Sequence, residues 1–353
     1  MLYIRGHFDN CNSYGILASE LAMAMIELGV DVRIIPMPGS GFRDAENKLM
    51  ESPLDRYELP WSYKAEKELV IQPPVVTRSF WKNGTIGKRY VHLTMFETPR
   101  IYHEWVEFEN TCEAVVLPNE LNVLGFHCCG VNVPMYKIPL GYDEKVFHYR
   151  GMRTDGLCVF GIGGRIHPNT DIRKGVKDAV GLFNEAFPDE EDVRLEVKSF
   201  QYDAAVVQSM DKRIKFIRAM FTKQQMAEWY RGLTAYLSMS RSEGWGLMQM
   251  EAMVTGRPII STRYMGIKEF CTRQAMYEVD WDCEPGKVYG LNFPTGVWTR
   301  PVLESIIEQM RAVYDDDYLA RAKGILAYNQ VKHLTWKNSA SALLKILRKL
   351  DYV

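Results

Sequence analysis

The chain has 353 residues, 47% of them hydrophobic and 25% charged, with a formal net charge of −1. Such a length allows two domains or one large one, and the balance excludes a disordered or fibrous chain. The total charge advertises neither nucleic acid nor a membrane surface, but the first 150 residues carry 15 Lys and Arg against 19 Asp and Glu and the rest 28 against 25, which favours an anionic ligand in the second half.

At the start, "LYIRGHF" reads as a strand, followed by the loop "DNCNSYG". Ile16, Leu17, Leu21, Met25 and Ile26 then recur at helical spacing, with Asn12 or Ser13 to cap the start and Gly29 the end. "VDVRIIPM" is the next strand, so the opening is a βαβ unit, the building block of parallel sheets. Residues 39–68 are polar and irregular. Strands follow in "ELVIQPP" and "KRYVHLTMFE", a helix in "PRIYHEWVEFENTC", a strand in "AVVLPN" and a short helix in "NELNVLGFHCCG". "YKIPLGYDEKVFHYR" runs out as a strand and an extended segment, and a domain boundary is expected in "RGMRTDG", near residues 150–156.

The pattern then restarts. "LCVFGIGGRI" is a strand ending in glycines, and "KGVKDAVGLFNEAF" is a helix with Val176, Ala179, Val180, Phe183 and Phe187 on one face. "VRLEVKSF" and "RIKFIRAM" are strands, and "TKQQMAEWYRG" is a helix opened by a Thr222/Gln225 capping box. The tail "LTWKNSASALLKILRKL" is amphipathic and helical. Two α/β halves, each opening with a strand and a glycine-containing loop, predict two Rossmann-like domains, 1–155 and 156–334.

The seven cysteines show neither metal-ligand spacing nor CxxC, so a reducing, cytoplasmic setting and no bound metal are expected. "MLYIRGHFDN" lacks the apolar core of a signal peptide, and no apolar run approaches the length of a membrane span.

In open parallel sheets, ligands bind beyond the carboxyl ends of the strands. "SRSEGWGLMQMEAMVTGRPIIS" falls at such a place. Glu243, Gly244, Trp245 and Gly246 form a loop, and the helix that opens at Leu247 offers backbone N–H groups and a partial positive charge to a phosphate. Gly244 and Gly246 permit close backbone approach. Glu243 and Glu251, eight residues apart, are either hydroxyl-binding carboxylates or simple helix charges. In "GIGGRIHPNTDIRKG", Arg165 and Lys174 either converge on a diphosphate or are exposed loop cations. The glycines there do not make the dinucleotide fingerprint GxGxxG, which weighs against an oxidoreductase.

Taken together, these segments resemble the retaining glycosyltransferases of family 4. "EGWGLMQMEAMVTGRPIIST" is similar to their EGFG…EAMA.G.PVI segment, and "GRIHPNTDIRKG" to their GR…KG segment. "MFETPRIYHEWVEFENTCEAVVLPNELNVLGFHCCGV" with "KIPLGYDEKVF", and the final "LTWKNSASALL", extend the resemblance over most of the chain.

The resemblance implies the GT-B fold: two facing Rossmann-like domains with an interdomain cleft, an acceptor-side first domain, a donor-binding second domain, and a C-terminal helix (335–353) that crosses back. It implies transfer from a UDP- or GDP-sugar as co-substrate, without a permanently bound cofactor. Glu243 would bind sugar hydroxyls, and the backbone of Gly244, Trp245, Gly246 and Leu247 would cradle sugar and phosphate. Glu251 would hold the ribose, Arg165 and Lys174 the diphosphate, and the backbone at Ile217 and Arg218 the base. The chain departs from the pattern in its first loop, which makes Ser13, Tyr14 and Gly15 the candidate acceptor contacts, and after "VHLTMFETP", where Glu97 and His92 are candidates.

An alternative is a nucleotide-sugar-binding or regulatory module without transfer activity. The acceptor is open: a glycan, a lipid-linked sugar, or modified DNA held by Arg78, Lys82, Lys88 and Arg89 interleaved with Phe80 and Trp81.

Overall fold

The computed structural model describes residues 1–9, 12–38, 41, 51–164, 166, 171–200, 208–287 and 294–353. Its contacts divide into two units, residues 1–143 with 334–353, and residues 144–333.

The first unit is built on six parallel strands: β1 (Leu2–Gly6), β2 (Val32–Pro36), β3 (Lys67–Ile71), β4 (Arg89–Leu93), β5 (Ala114–Leu117) and β6 (Met135–Lys137), in the order β2-β1-β3-β4-β5-β6. β3, β4 and β5 are buried almost throughout, as strands covered on both faces are. The helices are α1 (Ser13–Glu27), α2 (Pro74–Lys82), α3 (His103–Glu109) and α4 (Glu120–Cys128). Asn12 caps α1 by accepting from the Gly15 amide at 2.9 Å. α2 opens at Pro74, whose ring presets the helical φ, and takes in Arg78, Phe80, Trp81 and Lys82 of the basic, aromatic stretch.

The second unit repeats the plan with β7 (Cys158–Gly163), α5 (Asp171–Lys174), α6 (Asp178–Ala186), β8 (Val193–Lys198), β9 (Ile214–Ile217), α7 (Lys223–Gly232), β10 (Ala235–Leu237), α8 (Leu247–Val254), β11 (Ile259–Ser261), α9 (Gly266–Phe270) and β12 (Met276–Glu278). Its parallel order is β12-β11-β10-β7-β8-β9. An antiparallel hairpin, β13 (Trp281–Lys287) with β14 (Pro294–Pro301), and two helices, α10 (Leu303–Asp315) and α11 (Asp317–Val331), follow. Val176, Ala179, Val180, Phe183 and Phe187 do face one core, against β7 and β8.

The segment around 150 clusters with the second unit because its carbonyls are taken there. Arg231 donates to Val146 O at 2.8 Å, and the fully buried Arg257 donates to Arg150 O and Gly151 O at 3.2 and 3.3 Å.

The last helix, α12 (Trp336–Lys349), belongs to the first unit and packs on α1. Two backbone bonds seat its entry: Tyr142 N to Leu334 O at 3.0 Å and Trp336 N to Tyr142 O at 3.2 Å. Among the described residues, no helix is long and apolar enough to cross a membrane.

Candidate active site

β10 ends at Leu237, and the chain then runs as a loop to Gly246, which caps α8 in the left-handed region at φ 103°. A side chain there would strain the backbone and put its Cβ 2.5 Å from Ile267 Cδ1, so glycine is required. The cap offers no side-chain acceptor, and the first turn of α8 holds no acidic residue. The mouth of α8 therefore keeps its positive end for another partner.

Glu243 stands beside that mouth. Lys174 Nζ donates to its Oε1, and Arg173 Nη1 donates to its Oε2 at 3.3 Å and to Ser242 O at 2.7 Å. The short helix α5 is fastened to the same loop through its backbone, with Arg241 N donating to Arg173 O at 2.8 Å. Carboxylate and cations are thus held by two segments that fix each other. Burial pushes the Glu243 carboxyl up, but the Lys174 and Arg173 charges outweigh it and hold the pKa at about 2.

The sign of the resulting linkage follows. A carboxyl lowered from 4.5 to about 2 contributes stability that is fully present above pH 4.5 and is lost as pH falls toward 2. The difference in Tm between wild type and Glu243→Gln is expected to shrink between pH 5 and pH 2. A pH-independent difference would refute it.

One to two turns along α8, Glu251 accepts from the Tyr230 hydroxyl at 3.1 Å. Both glutamates of the motif act electrostatically on the buried Tyr236 hydroxyl, while Ile217 closes β9 and Arg218 is exposed after it. Leu247 and Gly244 are buried in the loop and first turn. Trp245 is buried as well, its indole N–H 3.3 Å from Met250 Sδ and its ring 5.2 Å from that of Phe270. Its side chain is a core element beneath the loop, so only its backbone is placed to meet a ligand. α9 comes close enough that a Cβ on Gly266 would collide with the Trp245 backbone. Arg165 lies outside the described residues.

In the first unit the candidates fare unevenly. Ser13 is exposed at the start of α1. Gly15 is buried against Asp9. The Tyr14 hydroxyl donates to Met95 O at 2.7 Å and accepts from Met95 N at 2.9 Å, so it braces the loop after β4. Glu97, half-buried in that loop, acts electrostatically on Tyr14. His92 faces the core: its Nδ1 lies 2.9 Å from Glu109 Oε2 and its Nε2 2.9 Å from Thr77 Oγ1, all three side chains being buried. It is a packed strand histidine and lines no surface.

The basic stretch does not form an open cationic platform either. Arg78 pairs with Glu104 and Arg89 with Glu113, while Phe80 packs on Trp61 at 4.9 Å and Trp81 on Phe108 at 6.5 Å. Lys82 and Lys88 are left as exposed cations, too few to specify a polyanion.

Residues 159–282 match the model of the family "Glycosyl transferases group 1". The matched stretch is about a third of the chain. The match begins in β7 and ends in β13, so it contains Lys174, Glu243 and Glu251. Solved structures share the fold of this chain. The sucrose-phosphate synthase of Thermosynechococcus elongatus superposes with a TM-score of 0.69 at 13% identity, over 99% of each chain. WaaG, a glycosyltransferase involved in lipopolysaccharide biosynthesis, gives 0.65 at 12% over 98% of this chain and 99% of its own. Anabaena HepE, solved with UDP and glucose, gives 0.61 at 10% over 99% of this chain and 100% of its own. The fold is GT-B, with two parallel six-stranded Rossmann-like sheets. The chain spans about half the length of TarM, 54%, at a TM-score of 0.60. No curated protein sequence matches it.

Two cations that the structure brings beside Glu243 and Glu251 escape the sequence reading. Arg173 stands next to Lys174 in "DIRKG" and looks like a helix-flanking charge, and Lys198 ends the strand "VRLEVK". For Arg173 the adjacent lysine was a signal, since two cations in a four-residue helix invite a shared anion. Lys198 has a weaker one: a lysine at the carboxyl end of a parallel strand.

Proposed function

We propose that this chain is a glycosyltransferase that moves a sugar from a UDP- or GDP-sugar to an acceptor hydroxyl with retention of anomeric configuration. The observation that carries it is the Glu243–Lys174–Arg173 cluster at the mouth of α8, with Glu251 eight residues beyond. A neutral ligand gives no reason to gather two cations at a helix N-terminus, whereas a departing diphosphate does. Glu243 would hold donor-sugar hydroxyls, Glu251 the ribose, and the backbone of Gly244 to Leu247 the phosphates. Ile217 and Arg218 would bound the base.

In the reaction the bond from the anomeric carbon to the diphosphate oxygen breaks, and its electron pair leaves with the diphosphate. The acceptor oxygen attacks from the same face, and its proton passes to the leaving phosphate. Lys174 and Arg173 neutralise the charge that grows on the diphosphate. Arg165 is proposed to assist them, and Glu97, with Ser13 and Gly15 flanking the Tyr14 that bonds the same loop, to serve the acceptor from the first unit.

Incubation of the purified chain with UDP- and GDP-sugars tests this, with donor consumption followed with and without a glycan acceptor and the product anomer read by NMR. Wild type is expected to consume one donor in the presence of EDTA and to give the retained anomer, and Glu243→Ala to be inactive while folded. An inverted product, or a Glu243→Ala variant as active as wild type, would overturn it. A chain that binds donor but neither transfers nor hydrolyses it would be the regulatory module instead.

A further inference from the structure

Lys198 is the last residue of β8 and is 8% exposed. No hydrogen bond or ion pair reaches its ammonium among the described residues, and Nζ lies 5.0 Å from the centre of the Phe221 ring. The carboxylate that faces it is Glu251, beyond ion-pair distance and already accepting from Tyr230. Burial pushes the amine down to about 8, with Glu251 opposing. An ammonium withdrawn from water without a hydrogen-bond acceptor is costly, and buried charges are ordinarily paired. Its place at the carboxyl edge of a parallel sheet is where ligands bind.

Position narrows the ligand group. β8 lies between β7 and β9, two strands away from β10, which leads to Glu243 and α8. Lys198 is in register with Gly163 on β7 and Ile217 on β9. If the diphosphate sits at the mouth of α8 and the ribose at Glu251, as the proposed function has it, the remaining third of the nucleotide extends over the ends of β8 and β9. The ammonium only donates, so its partner must be an acceptor. Uracil and guanine present a ring carbonyl, whereas adenine carries an amino group in the corresponding place.

We infer that Lys198 is a base-selecting residue, whose ammonium donates to a ring carbonyl of the donor nucleotide and thereby favours uracil or guanine over adenine. Phe221 and the burial around it hold the amine without a competing acceptor among the described residues, which leaves its donors for the base.

Calorimetric titration of UDP, GDP and ADP into the full chain tests this. Wild type is expected to bind UDP or GDP at least about 10-fold more tightly than ADP, the range of one good polar contact to a base. In Lys198→Met the preferred nucleotide should weaken about 10- to 100-fold while ADP stays within about two-fold, so that the preference collapses. Removing an unpaired buried charge should leave Tm unchanged or raise it, and Lys198→Gln serves as a second variant should the first fail to fold. Equal losses for all three nucleotides would make Lys198 a phosphate or ribose contact and overturn the inference, as would unchanged affinity for all three. If wild type binds none of the three, the donor-site reading itself falls, and the inference with it.

Discussion

Lys174→Met is expected to lower kcat for sugar transfer by roughly 10²- to 10³-fold, the loss that follows removal of one preorganised group aimed at developing charge. In the structure, Lys174 reaches Glu243 from a four-residue helix, and its side chain is 25% exposed. The ammonium is therefore already oriented beside the mouth of α8, and no reorganisation is needed when the diphosphate begins to leave. The growing negative charge draws on it more than the ground-state donor does, so the loss should appear mainly in kcat and less in KM. Arg173 remains in the variant and holds Glu243 Oε2 and Ser242 O, which keeps the loop in place. Circular dichroism and Tm should accordingly stay near wild type. A kcat within ten-fold of wild type would remove Lys174 from the leaving-group role and leave it a structural partner of Glu243.

How far the sequence foretells this site depends on whether a residue's role is local. The α8 motif was legible because its logic is contained in a dozen residues. A glycine that must adopt positive φ, a helix start without a side-chain cap and two carboxylates at fixed spacing all show in "EGWGLMQMEAMV". The burial of the Trp245 side chain was not legible, because its partner Phe270 is brought in by α9, 25 residues on. His92 was ambiguous for the same reason: its fate is set by Glu109 on α3 and Thr77 on α2, which sequence spacing cannot bring together. The basic stretch looked like a platform only while Glu104 and Glu113 were unseen. The parallel sheets themselves were readable, since β5 and β7 are continuous apolar or glycine runs and β3 and β4 hold short apolar stretches bounded by charge. The hairpin β13–β14 was not, as its strands contain Pro285, Gly286, Pro294 and Gly296, residues that ordinarily break strands.

The fold of the first unit is expected to depend most heavily on one buried ion pair, and Arg5→Met should destabilise the chain by about 3–5 kcal/mol. Arg5 and Glu68 are both fully buried on the adjacent strands β1 and β3. Arg5 Nε lies 3.1 and 3.0 Å from the two Glu68 oxygens, and its other nitrogens donate to Trp61 O at 3.1 Å and Tyr63 O at 2.7 Å. One guanidinium thus ties two strands and the irregular segment before β3. Its loss would strand a buried carboxylate and two carbonyls, and an unpaired buried charge costs far more than a lost surface bridge. Even in the wild type, burial outweighs Arg5 and raises the Glu68 pKa above its usual 4.5. A raised carboxyl disfavours the folded state as pH rises from 4.5 through the folded value. Without Arg5 the rise is larger, so the deficit of Arg5→Met should narrow on acidification, as Glu68 takes up its proton. Urea unfolding at pH 7 and pH 5 would measure both effects, and Arg5→Met with Glu68→Met, which removes both charges, should recover much of the loss. A single Arg5→Met variant within about 1 kcal/mol of wild type would show that water or a neighbouring group relieves Glu68, and that the pair is no keystone of the sheet.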